Sequence, residues 1–231
     1  MDYMIINDLN TSTLADCHVL DFGKAQASIE RSEQVEVFGA NGQLHVSEGA
    51  YDGYNRTFII TLRHLSDAMR LIEIFHSENN TVEFGYLRDS LFYCDLVSSS
   101  YVPLGPHRWK VEITVYMHPF RYEKFNSDII LNQSGTVNNP GTIYSEPVIV
   151  VEGAGRVTLT IGQQLMELEL DTRATIDCRH KRQNIYDKNG AVKNTIRKRG
   201  PFFEIPVGRS GIATSGTVTK ITIKGNWRYK V

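Results

Sequence analysis

Alternating hydrophobic and polar residues recur along most of the chain and predict short β-strands separated by tight turns. The pattern is clearest in residues 109–117, where every second residue is apolar. In residues 164–170 it recurs, with Glu167 and Glu169 between apolar neighbours. A two-residue period places one side of each strand in a core and the other in solvent. The chain is therefore predicted to be mainly β.

One segment has a helical period instead. Its apolar residues recur at spacings of three and four, which predicts a helix over residues 65–77 that packs on a sheet, with Ser66 as its N-cap. These apolar residues are Leu65, Ala68, Met69, Ile72 and Phe75.

A change of character in residues 121–139, which are polar and precede Pro140-Gly141, indicates a junction between two domains near residues 127–136. We expect a β-barrel-like or sandwich-like N-terminal domain with one helix over residues 1–130. Short strands with glycine turns between them predict an antiparallel β-sandwich over residues 131–231. Gly153-Ala154-Gly155 is interpreted as a hairpin turn between strands at 147–151 and 156–161.

Composition narrows the class of protein. The chain has 231 residues, of which 41% are hydrophobic, which is ample for one or two cores. No apolar run approaches the roughly 20 residues needed to cross a bilayer. The N-terminus carries Asp2 and Asp8 where a signal peptide has basic residues, so we expect synthesis in a cytoplasm.

Charge is unevenly distributed along the chain. Residues 1–125 contain 10 Lys and Arg against 17 Asp and Glu, a net charge of −7, and residues 126–231 contain 15 against 9, a net charge of +6. Such asymmetry indicates either two domains with different surroundings or drift in surface composition.

Signatures of catalysis and metal binding are absent from the sequence. It contains no phosphate-binding loop, zinc-protease helix or nucleophile elbow. The seven histidines do not cluster, and Cys17, Cys94 and Cys178 are too scattered for a disulfide framework or a zinc site. We therefore predict a non-enzymatic protein with no catalytic residue, cofactor or metal.

Two basic runs flank a polar insert in the second half. The candidate residues are Arg179, Lys181, Arg182, Tyr186, Arg197, Lys198 and Arg199. Three readings stay open: a solvated hairpin, a loop that docks an acidic protein, and a nucleic-acid contact. The last is disfavoured because Tyr186 is the only aromatic residue in the insert.

The order of these features resembles the distal tail protein family of long-tailed, non-contractile phages and prophages of Gram-positive bacteria. The resemblance spans nearly the whole chain. The stretches that carry it are Val37-Phe38-Gly39-Ala40-Asn41-Gly42, Tyr51-Asp52-Gly53-Tyr54, Tyr116-Met117-His118-Pro119-Phe120, Ser145-Glu146-Pro147-Val148 and Phe202-Phe203-Glu204-Ile205-Pro206.

The resemblance implies a structural hub at the distal end of the tail of a virion. Its N-terminal domain, with a protruding arm, is expected to build a homo-hexameric ring around a channel through which DNA passes. Its C-terminal domain is expected to be a galectin-like sandwich that faces outward. The implied partners are the tail-tube protein, the tail-associated hub or lysin protein and receptor-binding or baseplate proteins. No membrane insertion is implied.

Two surfaces are predicted to make these contacts. Ring contacts are assigned to residues 7–17 and to a turn at Phe38, Gly39, Asn41, Gly42 and Gln43, and docking of another tail component to residues 179–199. The rival hypothesis is a carbohydrate-binding module for a cell-wall polymer. Its candidate aromatic residues are Tyr144, Tyr186, Trp227 and Tyr229.

Overall fold

A computed structural model describes residues 3–36, 38–39 and 41–231, with only the backbone described for Gln43, His45 and Glu48. Within these ranges the chain is mainly β with one α-helix, as predicted. No helix in the described ranges has the length and apolarity to span a membrane. The chain divides into two compact units, one of residues Met1–Arg121 with Lys230–Val231 and the other of Tyr122–Tyr229.

The first unit is built on an antiparallel sheet whose strands follow the order β2-β1-β7-β8-β9-β6-β3, with β18 also paired to β9. A separate two-stranded hairpin is formed by β4 and β5. The strands are β1 (Met4–Ile6), β2 (Leu9–Asn10), β3 (His18–Asp21), β4 (Ile29–Glu36), β5 (Gln43–Asp52), β6 (Tyr54–Leu62), β7 (Asn80–Phe84), β8 (Ser90–Gly105) and β9 (Arg108–Glu123). The last strand, β18 (Arg228–Lys230), crosses the division, since Arg228 and Tyr229 belong to the second unit.

The helix α1 (Leu65–Glu73) packs Ala68 and Leu71 into the core of this unit. It is shorter than predicted, and its N-cap is His64 rather than Ser66. The Asn80 side chain accepts a hydrogen bond from the His76 backbone N–H (2.7 Å) and donates one to the His76 carbonyl (2.6 Å). These bonds hold the chain after α1 in a turn. Phe75, which continues the apolar period of the helix, lies in this turn and is buried in the core.

A buried arginine lies in the core of the first unit. The Arg56 guanidinium lies 4.3 Å from the ring centre of Phe84 and donates to the Phe22 carbonyl (2.6 Å) and the Tyr86 hydroxyl (2.9 Å). Aromatic faces and two oxygens thus take the place of a carboxylate, a favourable arrangement for a cation away from water. The residue therefore belongs to the packing of the fold.

The second unit is a single antiparallel sheet folded over on itself. The long strands β12 (Val148–Ile161) and β17 (Gly208–Lys224) run side by side through it. The other strands are β10 (Ile129–Leu131), β11 (Gly135–Asn139), β13 (Gln164–Leu170), β14 (Arg173–Asp177), β15 (Asn184–Tyr186) and β16 (Arg197–Arg199).

The first half of β12 pairs with β14 and its second half with β13. Inward side chains of both halves, such as Ile149 and Leu159, lie in one hydrophobic core. The two halves therefore form the layers of a sandwich, because long strands pass from one layer to the other at a bend.

The bend corrects one prediction from sequence. Gly153-Ala154-Gly155 is not a hairpin turn but lies inside β12, where the pairing with β17 shifts register. A Cβ at Gly153 would overlap the Thr217 carbonyl oxygen, and Gly155 has a φ of +71°. Glycine is required here because a bulge brings two backbones close together and needs positive φ.

The division between the units lies at residues 121–122, within β9, and β10 and β11 pair with β17 of the second unit. With this division, the first unit has 10 Lys and Arg against 16 Asp and Glu, and the second has 15 against 10. Their net charges are −6 and +5, so the charge asymmetry coincides with the division into units.

Candidate functional site

The β4–β5 hairpin, residues 29–52, is here called the arm. Its two strands pair with each other and with no other described strand. All eight residues of β4 are exposed. Such an isolated two-stranded hairpin is only marginally stable in water.

The arm has one apolar face and one polar face. Glu33 pairs with Val46 and Val35 pairs with Leu44, so these four side chains project from the same side. Ser32 and Gln34, which alternate with Glu33 and Val35 along β4, lie on the opposite side. The apolar face is exposed, as Val35, Leu44 and Val46 are 38%, 56% and 45% accessible.

The base of the arm is fixed to the first unit. Arg31 Nη2 lies 2.5 Å from Asp52 Oδ1, and this ion pair lowers the pKa of the Asp52 carboxyl. The ring of Tyr51 packs edge-on against Phe120, with 5.5 Å between ring centres. Lys230 Nζ lies 4.5 Å from the centre of the same Tyr51 ring. The arm is thus anchored at one end and exposed along its length.

The predicted ring contacts fall into two groups. Phe38, Gly39, Asn41 and Gly42 are exposed at the tip of the arm, with φ of +82° at Gly39 and +95° at Gly42. The side chain of Gln43 lies outside the described residues, as does Ala40.

Residues 7–17, in contrast, are largely bound within their own unit. The Asn7 side chain donates to the Ile74 carbonyl (2.9 Å) and accepts from the Thr81 N–H (2.8 Å). Leu9 and Leu14 are core residues. The segment is therefore partly core and partly surface, because Asp8, Ser12, Thr13, Ala15 and Asp16 are exposed.

A second exposed feature of the first unit is the far half of β8. The pairing of β7 with β8 reaches only from Phe92 to Cys94. Among the described residues, only β9 is paired to the rest of β8. Residues 97–105 therefore form a sheet edge that contains no charged side chain and exposes Val97, Val102 and Leu104. Apart from Pro103, which has no N–H to donate, this edge lacks the charged residues that usually protect edge strands from pairing with another strand.

The structure distributes the predicted docking residues over separate elements. Arg179 makes two hydrogen bonds to the buried Asp177 carboxylate, from Nε at 2.9 Å and from Nη2 at 2.6 Å. Lys181 and Arg182 are exposed in the turn that follows, and Tyr186 is half-buried in β15. Arg179 is therefore a structural residue of the second unit.

The other basic run forms the edge strand β16. The Arg197 guanidinium lies 4.5 Å from the ring centre of Phe202, and Arg199 pairs across the sheet with Glu167. Lys198 and Arg199 are exposed. Basic side chains on an edge strand oppose unwanted pairing with another strand.

Sequence reasoning missed the ion pair behind this region. Arg228 Nη2 lies 3.1 Å from Glu146 Oε1, and both residues are buried. Arg228 Nε also donates to the Tyr144 carbonyl (2.6 Å), and Glu146 Oε2 accepts from the His180 N–H (2.9 Å). The pair therefore joins the start of the basic turn to the C-terminal segment. Nothing in the local pattern around these residues signals burial.

Chemically reactive groups are not brought together in the described part of the chain. No cluster of His, Cys, Asp and Glu there has the size to hold a metal ion. Burial raises the pKa of the Cys94 and Cys178 thiols to about 12, which leaves them protonated and unreactive near neutral pH.

Comparison with known proteins gives a match by structure alone. No family model matches the sequence, and no curated protein matches it. A crystal structure of the SPP1 Dit (gp 19.1) protein, described as a paradigm of the hub adsorption apparatus in phages that infect Gram-positive bacteria, matches with a TM-score of 0.70. The match covers 97% of this chain and 98% of that one, at 13% sequence identity.

The chain has the fold of a phage Dit protein. The resemblance predicted from the sequence to the distal tail protein family is thereby confirmed for the fold, over both units. Because the sequence identity is only 13%, the comparison shows the fold and does not show the function.

The Dit-like fold also bears on the rival carbohydrate hypothesis. Trp227, its main candidate, is only 6% exposed and lies in the core of the sandwich. The Tyr144 ring is covered on one face by the Arg228 guanidinium, 4.4 Å from the ring centre. Tyr186 and Tyr229 are half-buried. Trp227 therefore lacks the exposure that the rival hypothesis requires of its aromatic residues.

Proposed function

We propose that the chain is a structural component of a phage tail tip that assembles with copies of itself into a hexameric ring. The observation that carries the proposal is the structural match over 97% of the chain to SPP1 Dit, a hub protein of a phage adsorption apparatus. Because the match includes both units, it supports a role for the whole chain. The binding energy of such a role is spread over large interfaces, and catalysis is not needed.

The arm supports self-association. A hairpin with an apolar face gains stability when that face is covered, and no described part of its own chain covers it. We assign the tip residues Phe38, Gly39, Asn41, Gly42 and Gln43 to this contact between copies.

The open edge of β8 supports a second contact between copies. Residues 97–105 offer unpaired backbone groups and exposed apolar side chains to a strand of a neighbouring molecule. In a closed ring each copy presents this edge to the next copy around the ring, so no copy is left with an open edge.

The charge of the two units suits a channel and an outer surface. A net charge of −6 on the ring-forming unit repels phosphate, so DNA passes through the channel without being held. The second unit, with a net charge of +5, faces outward and docks an acidic protein through Lys181, Arg182, Lys198 and Arg199. The proposed partners are the tail-tube protein, the tail-associated hub and receptor-binding proteins at the distal end of a virion.

Native mass spectrometry together with negative-stain imaging of the purified protein tests the proposal. The expected result is a hexamer seen as a ring with a central hole. A chain that stays monomeric up to millimolar concentration, and that also fails to bind tail-tube or tail-hub proteins, would overturn it.

A further inference from the structure

The outward side of α1 carries an unusual pair of exposed apolar residues. Leu65 and Met69 are one turn apart and are 37% and 42% accessible, while Ala68 and Leu71 on the inward side are fully buried. A helix that covers one sheet has no need of apolar residues on its other side. Leu65 and Met69 therefore form a small apolar surface with no partner in the described chain.

Cations flank this surface. Arg63, just before α1, and Arg70, on its outward side, are exposed. Neither forms an ion pair within the part of the chain that the structure describes. At the distal end of the helix Glu73 is the one exposed acid. We call Arg63, Leu65, Met69 and Arg70 the helix surface.

The arm has the complementary composition. Residues 29–52 contain five acidic residues and one basic residue, Arg31, which is already paired with Asp52. Glu33 lies on the apolar face beside Val35 and Val46 and has no ion-pair partner among the described residues. An apolar face with an unpaired acid matches an apolar surface with unpaired bases.

The exposed apolar residues near the β8–β9 turn and along the β8 edge lack this match. Near the β8–β9 turn, Arg108 is paired with Asp16, and Lys110 Nζ lies 3.2 Å from Glu112. The β8 edge itself is uncharged from residue 96 to residue 105. An acidic arm therefore finds unpaired cations at the helix surface and not at that edge.

We propose that the arm of one copy lies across the helix surface of the next copy, with Glu33 against Arg63 and Arg70 and with Val35, Leu44 and Val46 on Leu65 and Met69. Within one chain both surfaces remain exposed, so neither covers the other. Two different surfaces that fit each other between copies make a head-to-tail contact, which closes into a ring when the rotation between copies permits it. The inference rests on the proposed self-assembly and names the surface that receives the arm.

Charge reversal tests the contact, with the mass of the native protein measured by sedimentation velocity. We expect Glu33→Arg alone, or Arg63→Glu with Arg70→Glu, to weaken assembly at least tenfold. An equimolar mixture of the two variants is expected to assemble again, because each junction then joins opposite charges. Glu36→Arg, which makes the same change of charge on the polar face of β4, is the matched control and is expected to assemble normally.

A second measurement does not depend on charge. Val35→Cys combined with Met69→Cys is expected to give disulfide-linked dimers and higher oligomers on oxidation, and each single substitution is not. Wild-type assembly with unaffected charge variants, a mixture that stays dissociated, or absence of the cross-link would overturn the inference while leaving the proposed function intact. A wild-type protein that never assembles would instead overturn the proposed function.

Discussion

The two units treat their exposed strands in opposite ways. The first unit leaves an apolar hairpin face and an uncharged sheet edge uncovered, at the arm and at residues 97–105 of β8. The second unit folds its sheet into a closed sandwich and ends one layer with the basic strand β16. Open apolar edges favour association, and charged edges prevent it. The contrast supports the proposed assembly through the first unit.

The same contrast separates two segments that look alike in sequence. Both the arm and the segment 179–199 are polar stretches with a glycine turn. In the structure, Arg179 and Arg197 are engaged by their own unit through Asp177 and Phe202. The apolar face of the arm has no such engagement. Arg179 and Arg197 are thus structural, whereas Lys181, Arg182, Lys198 and Arg199 of the same segment remain exposed.

The largest effect is expected where the second unit holds itself together. Arg228→Met leaves the buried Glu146 carboxylate without its cation, which should destabilise this unit by about 3–5 kcal/mol. Urea unfolding followed by the fluorescence of the buried Trp227 measures the change. Adding Glu146→Gln is expected to recover part of the loss, because a neutral amide still accepts from the His180 N–H. An unchanged unfolding midpoint for Arg228→Met would show that the pair does not stabilise the unit.

The second largest effect on stability is expected from a substitution at the bend of β12. Gly153→Ala places a methyl group against the Thr217 carbonyl, a backbone atom that cannot move aside without disturbing the pairing of β12 with β17. We expect a loss of about 1–3 kcal/mol in the free energy of unfolding. The matched control is Gly211→Ala in β17, where a Cβ meets nothing within 4 Å, and its effect is expected to stay within about 0.5 kcal/mol. Equal effects of the two substitutions would contradict the role given to the bulge.

These elements also show how far the sequence leads. The alternation in residues 109–117 predicted β9, and the turn predicted at residues 38–43 lies between β4 and β5 of the arm, because both signals are local. The bulge at Gly153 was mistaken for a turn, since glycines mark both and only the path of β17 decides between them. The buried Arg228 and the exposed Met69 were hidden for the same reason, as burial depends on residues distant in the chain.

The smallest effect is expected at the base of the arm, and it depends on pH. Arg31 lowers the pKa of Asp52 below its ordinary value of 3.8, so the folded arm binds the proton of this group less readily than the unfolded chain does. The contribution of the pair is therefore complete above pH 3.8 and is lost as the pH falls through the lowered pKa.

Hydrogen exchange of the arm amides, corrected for intrinsic rates and followed from pH 5 downward, measures this loss. Wild-type arm amides should lose protection below about pH 3.8, while Asp52→Asn should show weaker protection at pH 5 and little further change. Asp171→Asn is the control in the second unit, where Lys188 lowers the pKa of an equally exposed Asp171 carboxyl. Because the Arg31–Asp52 pair is exposed, the midpoint of global unfolding should not move in either variant. A global shift with Asp52→Asn would mean that the arm is part of the cooperative core of the first unit, and the contrast between the units would then be wrong.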